Sequence, residues 1–218
     1  MSPAVERSTA SADHRRIRQI AGTMIPVRGH DIDTDQITPA RFLKSIRFEG
    51  LESHVFEDVR AALRRDGGAH PFDRPDYATA SVLIVQRNFG CGSSREHSPQ
   101  ALKRWGIRAI IGASFSEIFF GNSVAIGLPC LTAGEDEVEW LLRTAERDPA
   151  AGVTIDLTEP AATVGGRRVP LAMPRHAQEA FVAGTWDATA LLLEGFDDVE
   201  AVAARLPYVS GFTDQSGS

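Results

Sequence analysis

Cysteine is scarce in this chain of 218 residues, which contains only Cys91 and Cys130. Two cysteines are too few for the disulfide scaffold of a small secreted domain. They are also too few to hold an iron–sulfur cluster alone, because such clusters take about three or four thiolates. Cys91 stands in a glycine-rich stretch, where we interpret it as a small residue that fills a tight turn.

Long apolar runs and clustered basic charge are missing as well. No apolar run approaches the ~20 residues that a membrane-spanning helix requires. The net charge is −6 and no basic stripe is present, which argues against nucleic-acid binding. Residues 1–19 form a polar leader without the apolar core of a secretory signal. We expect this leader to be disordered and the protein to be cytoplasmic.

Two apolar runs mark the centre of the predicted fold. Ser81 to Val85 and Ile107 to Ile111 are continuous apolar segments of the kind that form buried strands. A glycine-rich turn and a helical pattern separate them, with Ala101, Leu102 and Trp105 on the apolar stripe. This order predicts a βαβ unit in an α/β fold. Ligands in such units gather beyond the carboxyl ends of the strands.

The stretch Asn88 to Trp105, NFGCGSSREHSPQALKRW, follows the first of these strands. Gly90 and Gly92 lack side chains, so the backbone there can turn sharply and approach a ligand closely. Ser93 and Ser94 are residue types that cap helices.

Arg95 adds a planar double donor suited to a carboxylate or phosphate. Together with the free N–H groups and positive end of a helix, these side chains predict an anion site. An ordinary glycine turn with capping serines is the alternative.

The segment Arg28 to Thr38, RGHDIDTDQIT, alternates acids with other residues. Asp31, Asp33 and Asp35 superficially resemble a calcium loop, but the required glycine and distal glutamate are missing. Two interpretations stay open: a solvated loop with Asx-turns, or a loop that places Asp and Thr over a polar substrate.

The remaining pattern indicates further helices and strands. Helices are expected over Leu51–Arg65, Ser114–Ala125 (with Phe115, Ile118 and Phe119 inward), Asp136–Arg147, His176–Ala183 and Asp187–Leu193. Strands are expected over Ile20–Val27, Gly127–Leu131, Val153–Leu157, Ala161–Val164 and Arg167–Leu171, with a hairpin turn at Gly165-Gly166. His54 and His70 have no ligand-spaced partners, and residues 206–218 are expected to form a loose tail.

Three ordered blocks carry a family resemblance over most of residues 20 to 200. DIDTDQITPARFLK, NFGCGSSREHSPQAL and IIGASFSEIFFGNSVAIGLP resemble the small subunits of 3-isopropylmalate dehydratase, which are equivalent to the swivelling C-terminal domain of aconitase. The resemblance implies a compact β/β/α swivelling domain over residues 20–205. It also implies a large partner subunit that carries three cysteines and a [4Fe–4S] cluster. This chain would then bind no cofactor by itself and would be inactive alone.

By the same resemblance, the chain supplies the serine base and substrate-binding groups of a hydro-lyase. Ser93 would remove a poorly acidic C–H proton next to a carboxylate, as an alkoxide. The implied substrate-binding residues are Ser94, Arg95, Thr34, Asp35 and Thr38, and the implied loop-orienting residues are Asp33, Gly90 and Gly92.

The resemblance implies interconversion of 2-isopropylmalate and 3-isopropylmalate through 2-isopropylmaleate in leucine biosynthesis. The sequence of the loop Lys44 to Gly50 differs from the one usual in the family. Its Arg47 could reach a third carboxylate of a substrate, face solvent or touch the large subunit. A related hydro-lyase acting on homoaconitate, methylated malates or citrate-like acids is therefore an alternative. A non-catalytic anion-binding module is another.

Overall fold

A seven-stranded mixed sheet organises the part of the chain that the computed structural model describes, residues 15–44, 48–92 and 96–206. Its strands are β1 (Gln19–Pro26), β2 (Val82–Val85), β3 (Ala109–Gly112), β4 (Cys130–Thr132), β5 (Gly152–Asp156), β6 (Ala161–Val164) and β7 (Arg167–Pro170). They lie in the order β4-β3-β2-β1-β5-β6-β7.

Strand β1 joins a parallel half of the sheet to an antiparallel half. It pairs in parallel with β2, and β2, β3 and β4 continue in parallel. On its other edge β1 pairs antiparallel with β5, which leads into the antiparallel strands β6 and β7. All four residues of β2 and of β3 are buried, because helices cover both faces of a parallel sheet. This burial explains the continuous apolar runs in the sequence.

Eight α-helices lie within the described residues. They are α1 (Thr34–Ile37), α2 (Glu57–Arg65), α3 (His97–Trp105), α4 (Glu117–Ala125), α5 (Glu135–Arg147), α6 (Arg175–Ala183), α7 (Ala188–Glu194) and α8 (Phe196–Ala203). Successive strand residues face opposite sides of the sheet, so the core divides into two apolar clusters. Ile25 and Leu83 belong to one cluster, whereas Met24 and Ile84 belong to the other.

The predicted βαβ unit and hairpin are confirmed. Strand β2, helix α3 and the parallel strand β3 follow one another as expected. Strands β6 and β7 are joined by Gly165 and Gly166, whose φ angles are +54° and +82°. Both glycines adopt the left-handed conformation that tight hairpin turns require.

The single helix predicted over Leu51–Arg65 is wrong in its first part. A 3₁₀ turn over Leu51–His54 is followed by Phe56 with φ +55°, and only then by α2. The buried Phe56 donates its backbone N–H to the carbonyl oxygen of Ile37 over 2.8 Å. This tertiary bond draws the chain away from a continuous helix.

Helix α4 also differs from the expectation. It begins at Glu117 rather than at Ser114, and the hydroxyl of Ser116 caps it by accepting from the Phe119 N–H over 3.3 Å. Phe119 is buried as expected, but the side chain of Ile118 is 50% exposed. Neighbouring helix residues point about 100° apart, so Phe119 occupies the inward position and Ile118 does not.

Residues 15–18 of the predicted leader hydrogen-bond to later parts of the chain. The N–H of Ile17 donates to the Phe181 carbonyl oxygen, and the Arg18 carbonyl oxygen accepts from the Leu157 N–H, each over 2.8 Å. Helix α8 was not predicted. Residues 1–14 and 207–218, which include most of the predicted leader and tail, lie outside the described residues. None of the described helices is long and apolar enough to span a membrane.

Candidate active site

The first two sequence blocks lie side by side beyond the carboxyl ends of β1 and β2. Three backbone hydrogen bonds join them: the N–H of Asp31 donates to the carbonyl oxygen of Arg87 over 3.0 Å, that of Gly90 to Ile32 over 2.8 Å, and that of Thr34 to Cys91 over 2.9 Å. The parallel pairing of the strands therefore continues into the loops. Two polar segments therefore meet at this edge of the sheet.

The third block flanks the central stretch on its other side. The Phe89 N–H donates to the Ser114 carbonyl oxygen, and the Ser116 N–H donates to the Phe89 carbonyl oxygen, each over 3.1 Å. The Ser116 hydroxyl also donates to the carbonyl oxygen of Gly90 over 2.6 Å. All three blocks thus form one rim, and α1, α3 and α4 begin at or just beyond it.

Asp33 caps a helical turn within the acidic segment. Its carboxylate accepts from the Gln36 N–H over 2.7 Å, and its own N–H donates to the Gln36 side-chain oxygen over 3.0 Å. This reciprocal capping box shows that residues 34–37 form a turn of helix rather than an irregular loop. Asp33 thereby caps the turn that carries Thr34 and Asp35.

Asp31 has a structural partner in Asn88. Asp31 and Asn88 both have φ +56°, and the Asn88 amide donates to the Asp31 carboxylate over 2.8 Å. Asp and Asn tolerate the left-handed conformation better than most residues. The pair therefore holds two adjacent turns at the base of the rim, a role that the acidic spacing alone did not indicate.

The three polar residues predicted from the acidic segment have different environments. Asp35 is exposed, whereas Thr34 and Thr38 are buried. The Thr34 carbonyl oxygen accepts from the Thr38 N–H and from the hydroxyl of Ser98, each over 2.9 Å. The hydroxyl of Thr38 has no hydrogen-bond partner among the described residues. Ser98, which the sequence reasoning missed, therefore ties α3 to α1.

Gly90 and Gly92 both need to be glycine, with φ angles of +77° and +96°. A Cβ atom on Gly90 would collide with the ring of Phe119, and one on Gly92 would lie 3.5 Å from the Asp33 Cβ. The predicted sharp turn is confirmed. The close approach at Gly90 is to a core ring of α4.

Ser93, Ser94, Arg95 and Arg47 lie outside the described residues. Gly92, which precedes Ser93, packs on the capped turn, and Glu96, which follows Arg95, holds the N-cap position of α3. His97 follows Glu96, and its buried Nε2 has no partner among the described residues.

The two cysteines lack the character of nucleophiles. The Cys91 thiol lies 3.3 Å from the Asp31 carbonyl oxygen, and burial with the nearby charges of Asp33 and Asp31 raises its pKa. Burial raises the pKa of Cys130 to about 12. Among the described residues, no three His, Cys, Asp or Glu side chains form a group that could hold a metal ion, so this part of the chain does not fit an iron–sulfur cluster.

Comparison with known proteins covers the same part of the chain. Residues 14–135, which contain all three blocks, match the aconitase C-terminal domain. A 3-isopropylmalate dehydratase small subunit from Synechocystis is 47% identical over 194 residues, covering 89% of this chain and 96% of that protein. One from Thermus thermophilus is 46% identical over 189 residues, covering 87% and 94%.

A solved structure agrees with these sequence matches. The 3-isopropylmalate dehydratase from Methanocaldococcus jannaschii superposes with a TM-score of 0.60 at 26% identity, over 86% of this chain and 98% of that one. The predicted α/β class and the likeness to the aconitase swivelling domain are thereby confirmed. The chain belongs to the family of 3-isopropylmalate dehydratase small subunits.

Proposed function

We propose that this chain is the small subunit of a 3-isopropylmalate dehydratase that interconverts 2-isopropylmalate and 3-isopropylmalate through 2-isopropylmaleate in leucine biosynthesis. The observation that carries the proposal is the meeting of three family blocks at one rim, joined by the hydrogen bonds from Thr34 to Cys91 and from Ser116 to Phe89. Relatives with this name match the chain over nearly its whole length. A cytoplasmic location goes with the proposal, and cell fractionation tests it.

The large subunit is the proposed partner. In this family the iron–sulfur cluster belongs to that subunit, where it supplies a Lewis acid when bound. The small number of cysteines here agrees with this division of labour. The rim of the present chain therefore forms half of the active site, and it faces the large subunit in the complex.

Ser93 is the proposed base at this rim. It follows Gly92 directly and stands four residues before His97, where α3 begins. The first turn of a helix offers N–H groups without intrahelical partners and a partial positive charge. A serine hydroxyl is a weak base, so its deprotonated form needs such electrostatic support. Ser93 then takes the C–H proton next to a substrate carboxylate.

The neighbouring residues are proposed to bind the substrate. Arg95 holds a carboxylate through its planar pair of donors, and Ser94 donates a further hydrogen bond. Asp35 is exposed on the capped turn, while the buried Thr34 and Thr38 lie beneath it. In this arrangement Asp33 and the glycines keep the turn and the serine segment in register.

Reconstitution tests the function. Mixing the chain with a cluster-loaded large subunit from the same source should give activity on isopropylmalate, and each subunit alone should give none. Ser93→Ala should lower kcat by about 10²–10⁴-fold, the usual contribution of a positioned base. Ser53→Ala, which changes a surface serine on the 3₁₀ turn, is the matched control. Full activity of the Ser93→Ala complex would refute the assignment of the base and favour an anion-binding module.

Arg47 separates the enzymatic alternatives. The complex should be assayed with isopropylmalate, homoaconitate and citrate side by side. If the chain acts on isopropylmalate, Arg47→Ala leaves that turnover largely intact. If the complex instead prefers a tricarboxylate and Arg47→Ala abolishes that preference, the chain is the small subunit of a related hydro-lyase.

A further inference from the structure

Besides the rim, the structure contains a cavity between the end of β1, helix α2 and the turns before β2. Its volume is about 440 Å³, within the range of small-molecule sites. The walls are mostly apolar and include Val27, Ile32, Val59, Leu63 and Tyr77. Ile32 and Gln36 of the first block also line this cavity, whereas Thr34, Asp35 and Thr38, the described residues implied to bind the substrate, do not.

His70 provides a buried polar group in the cavity wall. Its side chain is only 4% exposed, and its Nδ1 accepts from the Phe72 N–H over 3.2 Å. Burial lowers the pKa of His70 to about 4, so the ring is neutral at pH 7. Because Nδ1 accepts, the hydrogen of the neutral ring is on Nε2. That N–H donates to no group among the described residues.

The other polar groups in the wall also have donors to offer. His30 accepts from the Arg87 N–H at Nδ1 over 3.3 Å, which again leaves Nε2 as a donor. The guanidinium of Arg74 stacks over the Tyr77 ring, and among the described residues its one side-chain hydrogen bond is from Nη2 to Asp76.

The side-chain acceptors of Glu146 and Gln36 in the wall already have partners. Arg28 donates to both carboxylate oxygens of Glu146, over 2.5 and 2.9 Å, and the Asp33 N–H donates to the Gln36 side-chain oxygen. Both oxygens of the carboxylate are therefore engaged by one cation, whereas the donors of His70, His30 and Arg74 keep spare capacity. The wall consequently presents an apolar surface with hydrogen-bond donors and a satisfied acid.

We propose that this cavity is a second binding site, separate from the rim, for a compact apolar monocarboxylate. The apolar walls suit a short branched or aromatic body, whose burial is favourable in proportion to its area. A carboxylate offers only acceptors, so it matches the donors of His70, His30 and Arg74. An amine of the same shape would leave these donors unsatisfied and would meet the cation of Arg74.

Calorimetric titration of the full chain with 4-methylpentanoate tests the proposal. One equivalent should bind, and 4-methylpentylamine, which has the same body with the opposite charge, should not bind. Leu63→Trp places an indole at the cavity wall and should weaken binding at least about tenfold. Leu192→Trp is the matched control, because Leu192 is an exposed leucine on α7, far from the cavity lining. It should leave the affinity unchanged.

Two further variants locate the bound acid. His70→Phe keeps the aromatic packing but removes the donor, and it should weaken binding about fivefold, as expected for one neutral hydrogen bond. Arg95→Ala should leave the affinity unchanged. Absence of binding to the unmodified chain would overturn the proposal. So would binding that survives Leu63→Trp, or binding that Arg95→Ala abolishes, since the latter places the acid at the rim. None of these three results bears on the dehydratase assay.

Discussion

The backbone N–H of Thr34 donates to the carbonyl oxygen of Cys91 over 2.9 Å. It accompanies an isolated parallel bridge between Asp33 and Cys91, beyond the ends of β1 and β2. It places the capped turn of α1 directly against the glycine segment that precedes Ser93 in the chain. The proposed substrate-binding residues of the first block therefore lie on a turn that is hydrogen-bonded to this glycine segment.

Gly90→Ala should destabilise the fold. The new methyl group collides with the Phe119 ring, and alanine is strained at φ +77°. We expect a loss of about 2–4 kcal/mol in the free energy of unfolding, measured by urea denaturation. Gly121→Ala is the control, because Gly121 lies inside α4 with no atom within 4 Å of an added Cβ. It should stabilise the protein by about 1 kcal/mol, and equal losses in the two variants would contradict this account.

Asp33→Ala should loosen the turn that carries Thr34 and Asp35. Loss of the cap costs about 1 kcal/mol of stability, and the freer turn should raise KM for isopropylmalate in the reconstituted complex. Asp33→Asn keeps an oxygen that can accept from the Gln36 N–H, so it should behave nearly as the unmodified protein. Urea denaturation and steady-state kinetics provide the two readouts. An unchanged KM in Asp33→Ala would show that Asp33 does not orient the turn for substrate binding.

Ser98→Ala should uncouple α3 from α1. The variant loses the buried hydrogen bond to the Thr34 carbonyl oxygen, worth about 1 kcal/mol, and KM should rise. Ser123→Ala loses a comparable buried bond, from its hydroxyl to the Phe119 carbonyl oxygen over 2.7 Å within α4. It should lower stability by a similar amount without changing KM. If both variants change KM alike, the effect reflects general loosening and not the link between α3 and α1.

His70 should make the folded state sensitive to acid. Burial lowers the pKa of its imidazole to about 4, an effect that the charge of Asp73 partly offsets and that of Arg60 adds to. The folded-state pKa lies below the ordinary value near 6.5. The contribution of His70 to the free energy of unfolding is therefore fully present above about pH 6.5. It is lost as the pH falls toward 4. Between pH 7 and pH 5 the contribution falls by about 2 kcal/mol.

His70→Asn provides the comparison for this pH effect. The asparagine side chain can still accept from the Phe72 N–H but does not titrate. The difference in unfolding free energy between pH 7 and pH 5 should therefore be smaller in the variant by about 2 kcal/mol. The same pH dependence in both proteins would show that His70 protonates freely in the folded state.

Sequence periodicity predicted the elements whose stability comes from burial along one regular segment. Strands β2 and β3, helix α3 and the β6–β7 hairpin appear where the apolar runs and Gly165-Gly166 indicated them. The predictions failed where a contact from another part of the chain overrides local preference. The bond from Phe56 to Ile37 interrupts the expected helix over Leu51–Arg65.

The site shows the same division. Glycine, serine and arginine in one stretch indicated an anion site, because the hydrogen-bond donors of these residue types are known from the sequence alone. The structural role of Asp31 could not be predicted in this way. Its partner Asn88 lies far away in the sequence, and only the pairing of the two loops brings them together. Ser98 was missed for a similar reason, because a serine within a helix gives no sign of which distant carbonyl oxygen it reaches.

The sequence by itself determined the family, the α/β class and the identity of the three blocks, because these depend on residue type and order. Only the tertiary structure decided that the blocks form one rim, that Gly90 faces the ring of Phe119, and that His70 is buried beside a cavity. These features arise from the parallel register of β1, β2 and β3 and from helices packing on the sheet. Both are contacts between residues far apart in the chain, which local preferences do not specify.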